Sequence, residues 1–400
     1  MTGSRSPVAA GPQAAAEAAG PGLRIAFVTV GDSRNVRYWS GTPYHMAQAL
    51  RRAGHRLEHI APLHAPLADA YRLLAWGGRH LGLRMPNHLH LPALTGRYAR
   101  NALRRIAAAR PEVVVAVAGS PFVGRIPPGV PVVYASDATF RTIAGYYPQY
   151  RDLPRGSFEA ADRMEAASIA RADLVTYPSA WAAGSASRDY GAPAAKVHHI
   201  RWGANLAEPP GPPAAGPRPP GPLRLLLVGA NWWIKGAAVA VEALAALRAG
   251  GIEAELTICG CAPPQPISAP GLRIIPFLDK NDPAQAAQLA ALYRQADLFI
   301  LPTRAECYGI VFVEAAAYGL PSVAPATGGV SGAVADGRGG LLLPEGADGA
   351  AYARAIAGLW ADPARLAALR AGARHYYETE ANWDAWAARI TALMHALRAR

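Results

Sequence analysis

The chain has 400 residues, 51% of them hydrophobic, and a formal net charge of +12. This length predicts two globular domains, and no run of about eighteen apolar residues is present that could span a membrane. The excess positive charge is confined to residues 1–206, which hold 24 Arg and Lys against 12 Asp and Glu, so this half predicts an anionic partner surface. Nearly all basic residues are Arg in a chain rich in Ala, Gly and Pro, which is typical of a GC-rich genome. We therefore do not expect nucleic acid as the partner.

Two features bear on the cellular compartment. Residues 1–22 are rich in Ala, Gly and Pro and lack the basic start and apolar core of a signal peptide, so we expect a disordered tail. The three cysteines, Cys259, Cys261 and Cys307, cannot all pair. A reducing cytoplasm fits best, with the inner membrane surface as a further place of action. We interpret Cys307 as a small buried residue rather than a reactive one.

The first half opens with a buried strand at residues 23–30, a loop at 31–39 and a helix at 43–53. Gly41 and Thr42 connect the loop to the helix. A strand, a glycine-containing loop and a helix in this order place backbone N–H groups at the end of a parallel strand. Many α/β proteins begin in this way, so the arrangement alone assigns no function.

Residues 67–110 are helical in pattern and carry eight arginines among Leu, Trp and Tyr. Arginines interleaved with large apolar side chains are consistent with a patch that meets a membrane surface or an anionic acceptor. A solvated helix face is the competing interpretation.

Two further strands follow at residues 112–118 and 130–135, and the second ends at Ser136 and Asp137. Asp137 is either a functional acid or a helix cap. A helix at residues 159–171 and a strand at 173–177 come next. Ser179 caps the helix that follows, and the last strand of this half occupies residues 197–202. Residues 208–221 are almost wholly Pro, Gly and Ala, which predicts a semi-rigid linker between two domains.

The second half repeats the opening pattern, with a strand at residues 223–228, a loop at 229–235 and a helix at 236–249. Lys235 stands near the helix start beside the strand end, where an ammonium group can pair with a diphosphate. Strands at 255–260 and 273–277 and a helix at 283–295 come next.

Two acids, Glu306 and Glu314, belong to a strand–loop–helix–strand unit that spans residues 297–325. Gly309 allows a tight turn before the helix at 310–318. Eight helical residues rise about 12 Å, more than the 5 to 9.5 Å between the carboxylates of a glycosidase pair. The two acids therefore more plausibly hold different parts of one elongated ligand. The competing interpretation makes Glu306 a solvated loop acid or helix cap and Glu314 a surface residue of the helix.

The spacing Glu306-x7-Glu314, with Gly309 between and Gly319-Leu-Pro321 after, resembles the signature of the retaining family-4 glycosyltransferases. The match extends to residues 228–236, 327–330 and 336–344, and it is weaker in the first half. The resemblance implies an α/β fold of the GT-B kind, in which two Rossmann-like, doubly wound domains face a central cleft.

The resemblance and the linker together divide the chain. We expect a tail at residues 1–22, an acceptor-binding domain at 23–206, a linker at 207–222 and a nucleotide-sugar-binding domain at 223–380. The last helix, at 381–400, should cross back to the first domain, with Trp383 and Trp386 packed at the crossing.

The same resemblance assigns roles. Glu306 would hold the donor sugar, Glu314 the ribose and Lys235 the diphosphate, while Gly41 and Thr42 would face the donor phosphates and the acceptor. The remaining donor-binding candidates come from loops that the family uses: Asn231, Arg304, Tyr308, Gly309, Ile310, Phe277 and Leu278. The glycines at 328 and 329 could also direct N–H groups at phosphate or sugar.

Two departures from the family pattern affect this assignment. The common pattern has Arg at the position of Ala230, so phosphate neutralisation must rely on Lys235 and another residue, for which Arg304 is our candidate. Family members often carry a His where this chain has Ser136, and Asp137 beside it becomes the candidate catalytic residue of the first domain.

The predicted function is a retaining hexosyltransferase that uses a UDP or GDP sugar and a hydroxyl acceptor, in glycan, cell-envelope or secondary-metabolite biosynthesis. No metal and no cofactor beyond the nucleotide sugar are expected. The alternatives are a non-catalytic GT-B protein that binds carbohydrate or anions, and a GT-B nucleotide-sugar epimerase or phosphorylase. The basic first half favours an anionic glycan, a glycolipid or a phosphorylated acceptor, with peripheral membrane contact through the Arg-rich region.

Overall fold

The computed structural model describes residues 21–81, 85, 87–151, 153–211 and 221–399. The predicted tail lies outside the described residues except for its last two positions, and residues 212–220 of the predicted linker lie outside them as well. The described chain forms two parallel β-sheets, each with helices packed against it.

The first sheet contains six strands: β1 (Arg24–Val28), β2 (Arg56–Ile60), β3 (Val113–Val117), β4 (Val132–Ala135), β5 (Leu174–Tyr177) and β6 (Val197–His199). They pair in parallel in the order β2-β1-β3-β4-β5-β6. The helices of this half are α1 (Thr42–Arg52), α2 (Pro66–His80), α3 (Pro92–Ala109), α4 (Phe140–Ile143), α5 (Arg155–Arg171) and α6 (Ala180–Tyr190). Alternate residues of β3 enter two different apolar clusters, one on each face, which explains its run of valines.

The second sheet also contains six parallel strands: β7 (Leu223–Val228), β8 (Ala254–Cys259), β9 (Leu272–Ile275), β10 (Leu298–Ile300), β11 (Ser322–Pro325) and β12 (Gly340–Leu343). Their order is β12-β11-β10-β7-β8-β9. The helices are α7 (Ala237–Ala249), α8 (Pro283–Gln295), α9 (Ile310–Ala317), α10 (Val330–Ala333), α11 (Gly349–Trp360), α12 (Pro363–Thr379) and α13 (Trp383–Arg398). In this order β7 and β10 are neighbours, so the loops that follow them meet at one edge of the sheet.

The predicted α/β class with two doubly wound sheets is confirmed. Strand β2 was not predicted, because its sequence, Arg-Leu-Glu-His-Ile, is largely polar and it lies at an edge of the sheet. Strand β12 lies within the sequence motif at residues 336–344, for which no strand was predicted. Among the helices that the structure describes, none combines the length and the apolar character needed to cross a bilayer.

The last helix, α13, packs against α1 of the first half. Arg52 pairs with Asp384 at 2.7 Å, and His55 Nε2 lies 2.8 Å from Thr391 Oγ1. Trp383 and Trp386 are buried in the core that the two halves share. The chain thus ends by joining the two sheets.

Asn205 lies where the chain passes from the first sheet to the second. Its side-chain amide donates to Ser40 O at 2.8 Å and to Thr42 Oγ1 at 3.0 Å. Its Oδ1 accepts from Trp383 Nε1 at 3.1 Å, and its main-chain carbonyl accepts from Lys280 Nζ at 3.3 Å. One residue therefore connects the first loop, the last helix and the second domain.

Candidate functional site

Glu306 and Lys235 form an ion pair at the edge of the second sheet. Glu306 lies in the loop after β10, and Lys235 lies in the loop after β7, the neighbouring strand. The backbone of Gly236 has φ of +67°, and a side chain there would collide with the carbonyl of Pro302, so only glycine lets the two loops approach. The predicted pair of ligand-binding residues is therefore brought together by the fold.

The helix α9 begins directly after this loop. Gly309 has φ of +87° and forms its N-terminal cap, as its predicted turn requires. Since the first N–H groups of a helix have no partner within it, the start of α9 directs partial positive charge toward the Glu306 loop. Ile310, its first residue, is half-buried.

Glu314 is completely buried on α9. One carboxylate oxygen pairs with Lys280 Nζ, and the other accepts from the hydroxyl of Tyr293 at 3.2 Å. Glu314 is thus not the surface residue of the competing interpretation. A ribose that reached Glu314 would share it with Lys280, which sequence reasoning did not identify. The sequence carried one clue to the importance of Lys280, since only three of the 40 basic residues are lysines.

Asp137 follows β4 on the opposite side of the cleft. Burial raises the pKa of Asp137 to about 7, and the nearby charge of Glu306 adds to the shift. The alternative role of Asp137 as a helix cap is wrong, because Thr139 caps α4 by accepting from the amide of Thr142. Ser136 donates to the carbonyl of Ala138 at 2.9 Å and holds the turn. An acid that can change its protonation near neutral pH therefore lies within electrostatic reach of Glu306.

Two tyrosines of the first half reach the Glu306 loop. The amide of Glu306 donates to the hydroxyl of Tyr146 at 3.0 Å, and the amide of Cys307 donates to the hydroxyl of Tyr147 at 3.1 Å. Cys307 is buried, as predicted, and burial raises the pKa of its thiol well above the ordinary value. Sequence reasoning missed both tyrosines, since they lie 160 residues from their partners.

The backbone N–H of Gly329 already has an acceptor within the protein. This N–H donates to the carbonyl of Glu306 at 2.9 Å, so it shapes the loop instead of awaiting a ligand. Its neighbour Gly328 has φ of +50°, and a side chain there would collide with both Glu306 O and the Tyr146 hydroxyl.

Other predicted donor contacts lie around the same loops. Asn231 accepts from the amide of Ile234 at 2.9 Å and fixes the turn before Lys235. Arg304 is exposed, and its amide donates to Ile234 O at 2.7 Å. The side chain of Tyr308 is buried and donates to Trp202 O at 3.0 Å, so only the backbone of Tyr308 remains available to a donor nucleotide.

The candidate base site follows β9. The side chain of Phe277 is 65% exposed, whereas Leu278 is half-buried against the core. Asp279, next in the chain, pairs with Arg37 from the loop after β1. This ion pair joins the two halves beside the candidate base site.

Gly41 and Thr42 lie at the start of α1, where Gly41 has φ of +86°. The Thr42 hydroxyl accepts from Asn205, so it is engaged in the junction between the sheets. Within the part of the chain that the structure describes, no three His, Cys, Asp or Glu side chains gather as a metal site requires.

Two family models match consecutive parts of the chain. The one described as Glycosyltransferase Family 4 matches residues 42–208, and the one described as Glycosyl transferases group 1 matches residues 222–362. They cover about three quarters of the chain and meet at the junction between the two sheets.

The chain is 36% identical over 167 residues to a protein named D-inositol 3-phosphate glycosyltransferase from Arthrobacter sp. (strain FB24), and the match covers 39% of each chain. The chain spans between about a fifth and two fifths of the length of the curated relatives it matches.

Two solved structures share the fold. A sucrose-phosphate synthase from Thermosynechococcus elongatus has a TM-score of 0.69 at 19% identity, over 94% of this chain and 99% of that chain. Anabaena Alr3699/HepE in complex with UDP-glucose has a TM-score of 0.55 at 16% identity, over 94% of this chain and 100% of that chain. At such identities the likeness shows the GT-B fold alone. Both family models match in sequence order on the two sheets of this fold, so the chain consists of a glycosyltransferase family 4 domain followed by a glycosyl transferases group 1 domain.

Proposed function

We propose that the chain is a retaining glycosyltransferase that moves a hexose from a UDP or GDP sugar to a hydroxyl group of an acceptor. The observation that carries this proposal is the meeting of Glu306 and Lys235 beside the start of α9, with Asp137 opposite. The site thus offers an ammonium group and a helix N-terminus for a diphosphate, and carboxylates for a sugar.

In the proposed reaction, the bond from the anomeric carbon to the diphosphate oxygen breaks, and the bond to the acceptor oxygen forms on the same face. The leaving phosphate takes the acceptor's proton. Lys235 and the N-terminus of α9 stabilise the negative charge that leaves with the diphosphate. Glu306 accepts from sugar hydroxyls and stabilises the positive charge that develops on the ring. No metal ion is required in this scheme.

Glu314 is proposed to accept from the ribose hydroxyls, as carboxylates do in other nucleotide sites. Phe277 would lie against the base, since its ring is exposed next to the Arg37–Asp279 pair. The UDP-glucose bound to the HepE neighbour favours UDP over GDP as the first donor to test.

The proposed acceptor is a phosphorylated or otherwise anionic polyol or glycolipid. The charge excess in the first half supports this proposal, because it would attract such a molecule to the acceptor side of the cleft. The name of the Arthrobacter relative, D-inositol 3-phosphate glycosyltransferase, is consistent with a phosphorylated polyol as the acceptor.

We also propose that a cytoplasmic protein of this kind contacts the inner membrane through α2. Five large apolar side chains are exposed on this helix and just after it: Leu67, Leu73, Leu74, Trp76 and Leu81. Residues 66–110 hold eight arginines and a single acid, Asp69, so anionic lipid would complement the region. Arg72 acts electrostatically on Tyr38, which places this surface beside the loop that follows β1.

The test begins with binding of UDP, GDP and ADP to the wild type, measured by thermal shift. A nucleotide present at about 100 times its dissociation constant should stabilise the protein by about 2.7 kcal/mol. Glu314→Gln should weaken this binding, whereas Glu306→Gln should keep it and abolish sugar transfer. NMR of the product should show retained anomeric configuration.

Other outcomes would contradict the proposal. Absence of nucleotide binding at millimolar concentration would favour the non-catalytic binding protein, which the unusual Ala230 and Ser136 also suggest. An inverted product would remove the retaining mechanism. Formation of an isomeric nucleotide sugar without an acceptor would favour an epimerase.

A further inference from the structure

A chain of hydrogen bonds runs from the backbone of Glu306 to the carboxylate of Glu345. The Glu306 amide donates to Tyr146 Oη at 3.0 Å, Tyr146 Oη lies 3.1 Å from Thr327 Oγ1, and Thr327 Oγ1 donates to Glu345 Oε1 at 3.0 Å. The Thr327 hydroxyl has one proton, which it gives to Glu345, so the Tyr146 hydroxyl must donate to Thr327. All three hydrogen bonds are therefore donated in the same direction, toward Glu345, and the negative charge of its carboxylate polarises each of them.

The position of Tyr146 is fixed by its surroundings. Its ring contacts those of Trp181 and Tyr147, each with 5.3 Å between ring centroids. The hydroxyl fits over Gly328, where a side chain would collide with it. The segment Thr327-Gly-Gly thus leaves space for this one hydroxyl and supplies its acceptor.

The hydrogen-bond chain crosses the cleft. Tyr146 belongs to the first half of the chain, after α4, whereas Glu306, Thr327 and Glu345 all belong to the second. The contact consequently exists only when the two halves are close together. The Tyr147 hydroxyl makes a parallel contact with the amide of Cys307.

We propose that Tyr146 is a positioning residue, which fixes the orientation of the Glu306 loop when the cleft closes. The proposal rests on the proposed transferase function. Glu306 would face the sugar, and the direction of its side chain follows from the backbone that Tyr146 holds. The groups that bind the nucleotide, Lys235 and Glu314, lie on the second half and need no contact with Tyr146.

The test compares Tyr146→Phe with the wild type in sugar transfer and in nucleotide binding. Loss of this polarised hydrogen bond should lower kcat about tenfold, with KM for the donor and the UDP dissociation constant unchanged. Thr327→Val should have the same effect, and the double variant should be no worse than either single one. Thr327→Ser keeps the hydroxyl, so its kcat should be close to that of the wild type. Tyr190→Phe is the matched control, because its hydroxyl bonds to Asp162 away from the cleft.

Hydrogen–deuterium exchange supplies a readout that needs no activity. In Tyr146→Phe, the peptide that contains Glu306 and Cys307 should exchange faster than in the wild type, while Tyr190→Phe leaves it unchanged. An active wild type together with an unchanged kcat in Tyr146→Phe would overturn the positioning role alone. A wild type that neither binds nucleotide nor transfers sugar would overturn both this role and the proposed function.

Discussion

Lys280 and Glu314 form an ion pair whose two members differ sharply in exposure. The side chain of Glu314 is 0% exposed, whereas that of Lys280 is 35% exposed and reaches down from the loop after β9. A carboxylate in such a place requires a partner, because burying an unpaired charge costs far more than burying a neutral group.

The first prediction concerns this ion pair. Lys280→Met should destabilise the fold by about 3 kcal/mol, since it leaves the Glu314 carboxylate without its counter-charge. Urea denaturation measures the loss. Lys196→Met is the matched control, because Lys196 donates to the carbonyl of Ala170 and the carboxylate that acts on it, that of Asp173, is exposed and pairs with Arg171. Equal losses in the two variants would contradict the prediction, and adding Glu314→Leu to Lys280→Met should restore stability but not nucleotide binding.

The second prediction concerns the pH dependence of stability at Asp137. The folded protein keeps this carboxyl protonated up to about pH 7, whereas the unfolded chain releases the proton near pH 4. Between these values the folded state binds more protons, so raising the pH destabilises the wild type, by at most about 1.4 kcal/mol per pH unit.

The variant Asp137→Asn should lack this contribution. Urea unfolding at several pH values between 4.5 and 8 should show the variant gaining stability relative to the wild type as the pH rises. Asp32→Asn serves as the control, because the pKa of Asp32 lies below its ordinary value and the group is ionised throughout this range. Parallel profiles for wild type and Asp137→Asn would show that the surroundings of Asp137 do not raise its pKa.

The third prediction separates backbone strain from collision at Gly328. Gly328→Ala adds a side chain against Glu306 O and Tyr146 Oη, at a φ of +50°. Gly337→Ala introduces the same strain at a φ of +69°, with open space around the new atom. The control should cost about 1 kcal/mol in unfolding free energy and leave transfer intact. Gly328→Ala should cost more and also lower kcat, and equal behaviour of the two variants would contradict the geometry of this loop.

The fourth prediction addresses the exposed face of α2. The wild type should sediment with vesicles that contain anionic phospholipid, and 0.5 M salt should weaken but not abolish the binding, since part of it is apolar. A double variant, Leu73→Ser with Trp76→Ser, should lose it. Ile267→Ser is the control, because Ile267 is another exposed apolar residue, 42% exposed, outside α2. Equal binding by the double variant and the control would remove the membrane proposal.

The sequence predicted the local structure around the candidate site. The run from β10 through Gly309 to α9 follows from an apolar strand, a left-handed glycine and a short helix, and it placed Glu306 and Glu314 correctly. Lys235 followed from the same reasoning after β7. These residues depend on neighbours in the sequence, whose periodicity and turn chemistry can be recognised.

The rest of the site depends on contacts between distant segments. The partner of Glu314 comes from a loop 34 residues away, and Tyr146 meets Glu306 across 160 residues. Neither contact has a local pattern, since register and approach are set by how the two sheets pack. The sequence offered one clue to these contacts, the use of lysine in a chain whose basic residues are nearly all arginine. Two of the three lysines, Lys235 and Lys280, pair with the two motif glutamates.

The hydrogen bonds of Asn205 have a mechanical consequence. This residue lies where the chain crosses between the sheets, and its amide is bonded to both the first loop and the last helix. When two bodies rotate about a fulcrum, points near it travel little and points far from it travel most. We therefore expect the Asn205 contacts to survive opening of the cleft, while the Tyr146–Glu306 contact breaks and re-forms with each cycle.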